Sequence, residues 1–380
     1  MAAPDFDLLI IGGGLAGGLV ALALAERRPE IRVGIVEPGE RLGGNHLWSF
    51  FESDVAPRDR SFVDPLVVHR WSSYRVDFPE HGRHLDQPYQ SIESERLDQV
   101  VRAHLPAERI NRAAAVELTP VSATLDNGET LTARAVLDAR GGKGEGLHLG
   151  WQKFLGQLLQ IPQGHGLTEP IVMDATVDQS DGYRFVYCLP FSPTELFVED
   201  TYYTDGPELD RHLVRARIQD YVATKGWQIA GRSREEKGQL PVVTGGDFGR
   251  FWPASDQIAR AGARGAFFHP LTSYSLPEAV RFASWLADEL PLDRLAQATR
   301  ERARRHWRWS WYDRLLARML FGAADPPQRF RILQRFYLLP APLIARFYSG
   351  QSTWADRMRI LAGRPPVAIS RAFKVLKEPQ

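Results

Sequence analysis

The chain has 380 residues, 44% hydrophobic and 24% charged, a globular composition long enough for two or three domains. Its one cysteine, Cys188, excludes an internal disulfide and suits a reducing cytosol. The formal charge of +1 hides a split: residues 300–380 hold 17 Lys plus Arg against 5 Asp plus Glu, and residues 1–299 hold 30 against 41. No nucleic-acid partner is expected, and the basic part either docks on the acidic body or touches anionic lipid headgroups.

Residues 8–25, LLIIGGGLAGGLVALALA, are uncharged over 18 positions, the length of a membrane span. Five glycines near the middle of that run fit a turn better than a spanning helix. The leading MAAPDFD is acidic, so no signal peptide is expected. The segment reads instead as strand (DLLII), glycine turn, helix (AGGLVALALAERR) and strand (RVGIVE), a βαβ unit.

Gly12, Gly14 and Gly17 form G-x-G-x-x-G between that strand and helix, and Glu37 ends the next strand. Gly12 permits the tight turn, Gly14 lets backbone approach a pyrophosphate, and Gly17 lets helix and strand pack closely. The helix N-terminus, at Leu15 and Ala16, offers free N–H groups to phosphates, and Glu37 can accept from ribose hydroxyls. A later strand, RAVLDARGG, returns to the cofactor with Arg140 near its end, which favours FAD over NAD. In RLGGNHLWSF, residues 41–50, Gly43 and Gly44 predict close approach or unusual dihedrals. Asn45 and His46 follow; Gly44, Asn45 and His46 are candidate cofactor contacts, and His46 reads otherwise as a proton carrier or a packed turn residue.

Residues 92–106 predict a helix. AVELTP and SATLDNGETLTA predict short strands, with Asn127-Gly128 turning a hairpin. Residues 183–203, YRFVYCLPFSPTELFVEDTYY, predict two strands joined at SPTE. Strand neighbours point to opposite faces, so only one of Glu199 and Asp200 faces a given cavity. An inward acid beside Phe197, Tyr202 and Tyr203 would have its pKa raised; two solvated acids on an edge strand are the other reading. Residues 207–226 read as helix. Residues 264–290 predict a turn, HPLTSYS, and then an amphipathic helix whose N-terminus points at something polar or anionic. Pro270, Thr272, Ser273 and Tyr274 are candidate flavin contacts, and His269 reads equally as a turn histidine. The remainder reads as helix rich in Arg and Trp, including residues 304–321 with Trp307 and Trp311.

GGNHLWSF, MDATVDQSDGYRFVYCLPFSPTELFVEDTYY, RAGARGAFFHPLTSYSLPEAV and LQRFYLLPAPLIARFYSG together resemble the FAD-dependent carotenoid cyclase family, the bacterial lycopene β-cyclases. The chain departs from the family pattern at Phe51, often a histidine there, and at Leu271 and Ser273, where the family usually reads HPTTGYSLP. The resemblance implies an α/β (α+β) flavoprotein. Its Rossmann-type FAD-binding domain, of the glutathione-reductase and hydroxylase type, would comprise residues 1–165 and 250–297. A β-sheet substrate domain would follow at 166–249, and a helical basic C-terminal region at 298–380 would cover the substrate tunnel or dock on membrane. It further implies Glu199 as catalytic acid with Asp200 supporting it, reduced FAD with NADPH or NADH as reductant, and lycopene and other ψ-ended carotenoids as substrates. No metal is expected. The place of action implied is the cytoplasmic face of the inner membrane, bound peripherally and without a transmembrane helix. Another membrane-associated FAD-dependent monooxygenase or a prenyl-lipid reductase is the alternative.

Overall fold

The computed structural model describes residues 3–142, 144–362 and 370–372. Its first layer is built on the strand Phe6–Ile11, apolar except for Asp7 and buried almost throughout, as a central parallel strand requires. Val33–Val36 and Thr130–Asp138 flank it in parallel. Ile110–Asn111 extends one edge, and the hairpin strands Ser122–Leu125 and Ala115–Thr119 extend the other. Thr130–Asp138 is one strand, where the sequence suggests a hairpin arm and then a separate strand. Its first residues close the hairpin, and its last pair with Ile11 and with Ala259–Arg260. The helix Leu15–Arg27 packs against Leu276–Glu289 and Ser94–His104. The latter helix starts at Ser94 rather than 92, because Tyr89–Glu93 is a strand.

The second layer is a seven-stranded sheet in the order Gly231–Gly246, Leu147–Gln160, Glu195–Thr204, Tyr183–Pro190, Ile171–Asp174, Tyr74–Phe78, His81–Leu85. Neighbours are antiparallel except Ile171–Asp174 beside Tyr74–Phe78. The sheet thus draws Tyr74–Leu85 and Leu147–Gln160 from the segment assigned by sequence to the cofactor domain, so a division at residue 165 does not follow the sheets. A small sheet of Leu47–Phe51, Tyr89–Glu93 and Val67–Trp71 ties the layers together. Its neighbouring residues Phe50 and Phe51 sit in the first and second cores respectively.

Pleating sorts the side chains of Glu195–Thr204. Leu196, Val198 and Tyr202 join a core closed by the helix Arg211–Thr224, which also buries Cys188. Phe197 and Tyr203 face the opposite core, rich in aromatic rings, with Tyr74, Tyr183 and Phe185. The C-terminal helices cover that face through Ala317, Leu320, Phe336, Phe347 and Tyr348. The segment 304–321, one helix by sequence, breaks at Ser310 into Leu295–Trp309 and Trp311–Gly322. Ser310 Oγ donates to the His306 carbonyl at 2.8 Å, a back-bond that favours a bend. Among the described residues no helix is long and apolar enough to cross a membrane.

Candidate active site

Gly12 has φ +106°, and a Cβ there would meet the Ala139–Arg140 backbone at 3.0 Å. A Cβ on Gly17 would lie 2.1 Å from the Gly12 carbonyl oxygen, whereas one on Gly14 would meet nothing within 4 Å. The turn is therefore closed behind and open in front. The helix after it has no side-chain cap and no acid in its first turn, so the N–H groups of Leu15 and Ala16 are left for an anion. These residues fit a dinucleotide pyrophosphate. Glu37 is pinned beside the turn, its carboxylate accepting from Gly13 N at 2.8 Å and Gly39 N at 2.9 Å. It keeps acceptor capacity for a ribose. Arg140 lies behind the turn, but its guanidinium is held by Asp138 at 2.9 Å and by the Ala115 carbonyl at 3.1 Å. Arg140 thus braces the turn, sharing Asp138 with Arg264.

A cavity opens where the helix Leu276–Glu289 begins, and His46, Glu199, Thr272, Ser273 and Tyr274 all line it. The turn before that helix folds around His269: its Nδ1 accepts from Leu271 N and Thr272 N, each at 3.3 Å. His269 is thus a turn organiser. Ser273 has φ +58°, a left-handed conformation that favours glycine, and its hydroxyl donates to the Pro241 carbonyl at 2.8 Å. Pro270 packs behind the turn, its carbonyl accepting from Val243 N at 2.8 Å. The helix itself begins with Pro277 in its first turn and no side-chain cap, and Ser275 and Leu276 at its start line the cavity. Gly44 takes φ +65°. Asn45 donates to the Glu235 carbonyl at 2.8 Å, and Arg234 donates to the His46 carbonyl at 3.1 Å. These bonds fasten the loop to the strand Gly231–Gly246.

Glu199 is part-buried and faces this cavity between Phe197 and Tyr187. Thr201 Oγ1 donates to it at 2.8 Å. Burial lifts its carboxyl to about 8, the charges of Glu236 and Asp200 push the same way, and the Thr201 hydroxyl opposes them. Such a group holds a proton at neutral pH. Asp200 lies on the opposite face, fully buried. Arg184 grips it through two bonds at 2.9 Å, and Tyr202 donates to it at 2.8 Å. The structure separates the two acids as the alternation of strand side chains predicts, so Asp200 supports the strand from the opposite face and does not line the cavity. A further carboxyl does line the cavity: Glu236, 3% exposed, whose oxygens meet His46 Nδ1 at 2.9 Å and Leu47 N at 3.0 Å. Nothing in the sequence singles it out, because its inward aim follows from the register of a strand whose pattern is weak.

The fold is shared with flavin enzymes. A geranylgeranyl bacteriochlorophyll reductase-like protein of Thermoplasma acidophilum superposes with TM-score 0.62 at 12% identity, covering 97% of this chain and 99% of that one. The flavin-dependent brominase Bmp2 superposes with TM-score 0.64 at 13% identity, covering 93% and 97%. Fold and phosphate turn together define a two-sheet dinucleotide-binding protein of the class that includes flavin-dependent monooxygenases and halogenases. Within that class, the family model described as lycopene cyclase protein matches residues 7–374. A lycopene β-cyclase of Pseudescherichia vulneris is 45% identical over 371 residues, covering 97% of this chain and 96% of that protein. The chain belongs to the lycopene cyclase family.

Proposed function

We propose that this chain closes β-rings on the ψ-ends of lycopene, with Glu199 as the acid that starts the reaction. The observation that carries this reading is a carboxyl, Glu199, set among aromatic rings in the cavity where the helix Leu276–Glu289 begins. A terminal trisubstituted alkene takes the Glu199 proton and becomes a tertiary cation. The neighbouring double bond attacks that cation and closes a six-membered ring, and loss of a ring proton leaves the β-end group. No electrons are gained or lost overall. Phe197, Tyr187, Tyr89 and Tyr274 line the space and present ring faces that attract a cation. Leu189 and Leu240 add apolar wall that limits capture of the cation by water.

Gly12, Gly14, Leu15, Ala16, Gly17 and Glu37 would hold the FAD pyrophosphate and ribose, and Thr272, Ser273, Tyr274 and the helix start at Leu276 would meet its ring. Reduced FAD, once bound, supplies negative charge that favours the neighbouring cation. NADPH or NADH then serves to set the redox state and is not consumed once per ring. The test is purified protein with lycopene, FAD and NADPH under nitrogen, with products separated by chromatography. β-Ringed products without stoichiometric NADPH oxidation are expected; one NADPH oxidised per ring would instead favour a reductase or monooxygenase.

A membrane surface is the proposed source of substrate. Trp309, Trp311, Trp354, Met358 and Leu361 are exposed, and the Arg357 guanidinium lies 4.5 Å from the Trp309 ring centre and 5.1 Å from that of Trp354. Tryptophan and arginine together suit the headgroup zone. Trp307 does not contribute: it packs on Phe248, with the Arg314 guanidinium 3.7 Å from its ring centre.

A further inference from the structure

Glu199 and Glu236 stand in one row across the second sheet. Gly156 is the register partner of Glu199 on one side and of Glu236 on the other, so both carboxyls rise from the same face with no side chain between them. At about 4.8 Å per strand step, their Cα atoms are on the order of 10 Å apart. The gap is floored by Phe197: a Cβ on residue 156 would come within 2.2 Å of its ring. Phe191 lies parallel to Phe197, with ring centres 6.0 Å apart and 7° between their planes. The two carboxyls therefore flank one aromatic floor within the same cavity.

The two acids differ in their connections. Glu199 has one side-chain hydrogen-bond partner, the Thr201 hydroxyl. Glu236 accepts from Leu47 N and meets His46, whose side chain is 52% exposed. A proton arriving on Glu236 therefore has a ring nitrogen beside it that opens to solvent.

Resting on the reading of Glu199 as donor, we infer that Glu236 is the base that removes the ring proton and that His46 carries this proton out of the cavity. The Glu199 O–H bond breaks as a C–H bond forms at the alkene. A C–C bond then closes the ring. The C–H bond beside the displaced cation breaks, its electrons become the ring double bond, and its proton forms an O–H bond on Glu236. His46 passes the proton to water, and Glu199 is recharged from solvent, so each ring takes one proton in and releases one.

The test compares Glu236→Gln with Glu199→Gln as flavin-loaded full-length enzymes. Glu236→Gln is expected to lower kcat at least tenfold and divert product to isomeric or hydroxylated end groups, with an unchanged flavin spectrum. Wild-type rate with only β-rings would overturn the inference. If Glu199→Gln also cyclises normally, the donor assignment fails; if it is silent while Glu236→Gln is normal, only the present inference fails. A wild-type experiment decides the matter should Glu236→Gln not hold flavin. Lycopene deuterated at the carbon that loses the proton is cyclised in ordinary water. Deuterium delivered to the protonated carbon of the second ring would show return through Glu199 and overturn the inference; complete loss to solvent supports it.

Discussion

At Glu199, burial works against the charged carboxylate, and the protonated form is the one the proposed chemistry uses. Activity should therefore fall as pH rises through about 8, measured as kcat across pH 6–10 on flavin-loaded enzyme. The stability consequence has the same sign. The folded chain keeps a proton that the unfolded chain releases between an ordinary 4.5 and about 8, so this group's contribution to stability is full at low pH and declines across that window. Glu199→Gln should abolish cyclisation and flatten that decline in denaturant titrations at pH 5 and 9. Asp200 tells the opposite story. Its loss strands the buried Arg184 cation, so Asp200→Ala should cost about 3–5 kcal/mol of stability, read by urea unfolding. At Ser273, glycine would relieve the left-handed backbone and forfeit the bond to Pro241. Ser273→Gly should raise stability by no more than about 1 kcal/mol, seen as a small upward shift in Tm. The phosphate turn was legible in the sequence because its chemistry is local: three glycines, a helix start and an acid lie within one βαβ unit. The pairing of Glu199 with Glu236 was not, since it exists only through strand register.

The strands Leu147–Gln160 and Gly231–Gly246 flank the site and left little trace in the pattern. Both contain glycines, which have low strand propensity, and the reason is steric. Phe197 lies over Gly156 and Phe154 over Gly238, each ring within 2.2 Å of where a Cβ would sit. The aromatic face has room for these rings only because the facing residue has no side chain. Gly156→Ala should cost about 1–3 kcal/mol by overpacking and displace Phe197, so that activity falls further than stability does; denaturation and kcat measured on the same preparation separate the two. By contrast, Tyr183–Pro190 and Glu195–Thr204 were readable as strands, being dense in β-branched and aromatic residues. The split of 304–321 at Ser310 was hidden because Arg, Trp and Leu on both sides have helical propensity.

Over the whole molecule, the basic C-terminal part packs on the acidic body and presents the exposed tryptophan face proposed for membrane docking. Arg329 reaches the body at Asp205 and the Tyr203 carbonyl, while Arg357 sits beneath an exposed tryptophan face. Replacing Trp309, Trp354 and Met358 together by serine should weaken sedimentation with anionic liposomes several-fold and leave cyclisation of detergent-dispersed lycopene intact. Unchanged sedimentation would remove this face as the docking surface. Cys188 gives the molecule a different use. It is completely buried beside Tyr221, and burial pushes its thiol up to about 12. As the chain's single sulfhydryl, it is shielded from alkylating reagents until the Arg211–Thr224 helix lifts from the sheet. The rate of its modification under native conditions is thus a clock for that opening, readable by mass spectrometry without introducing any label.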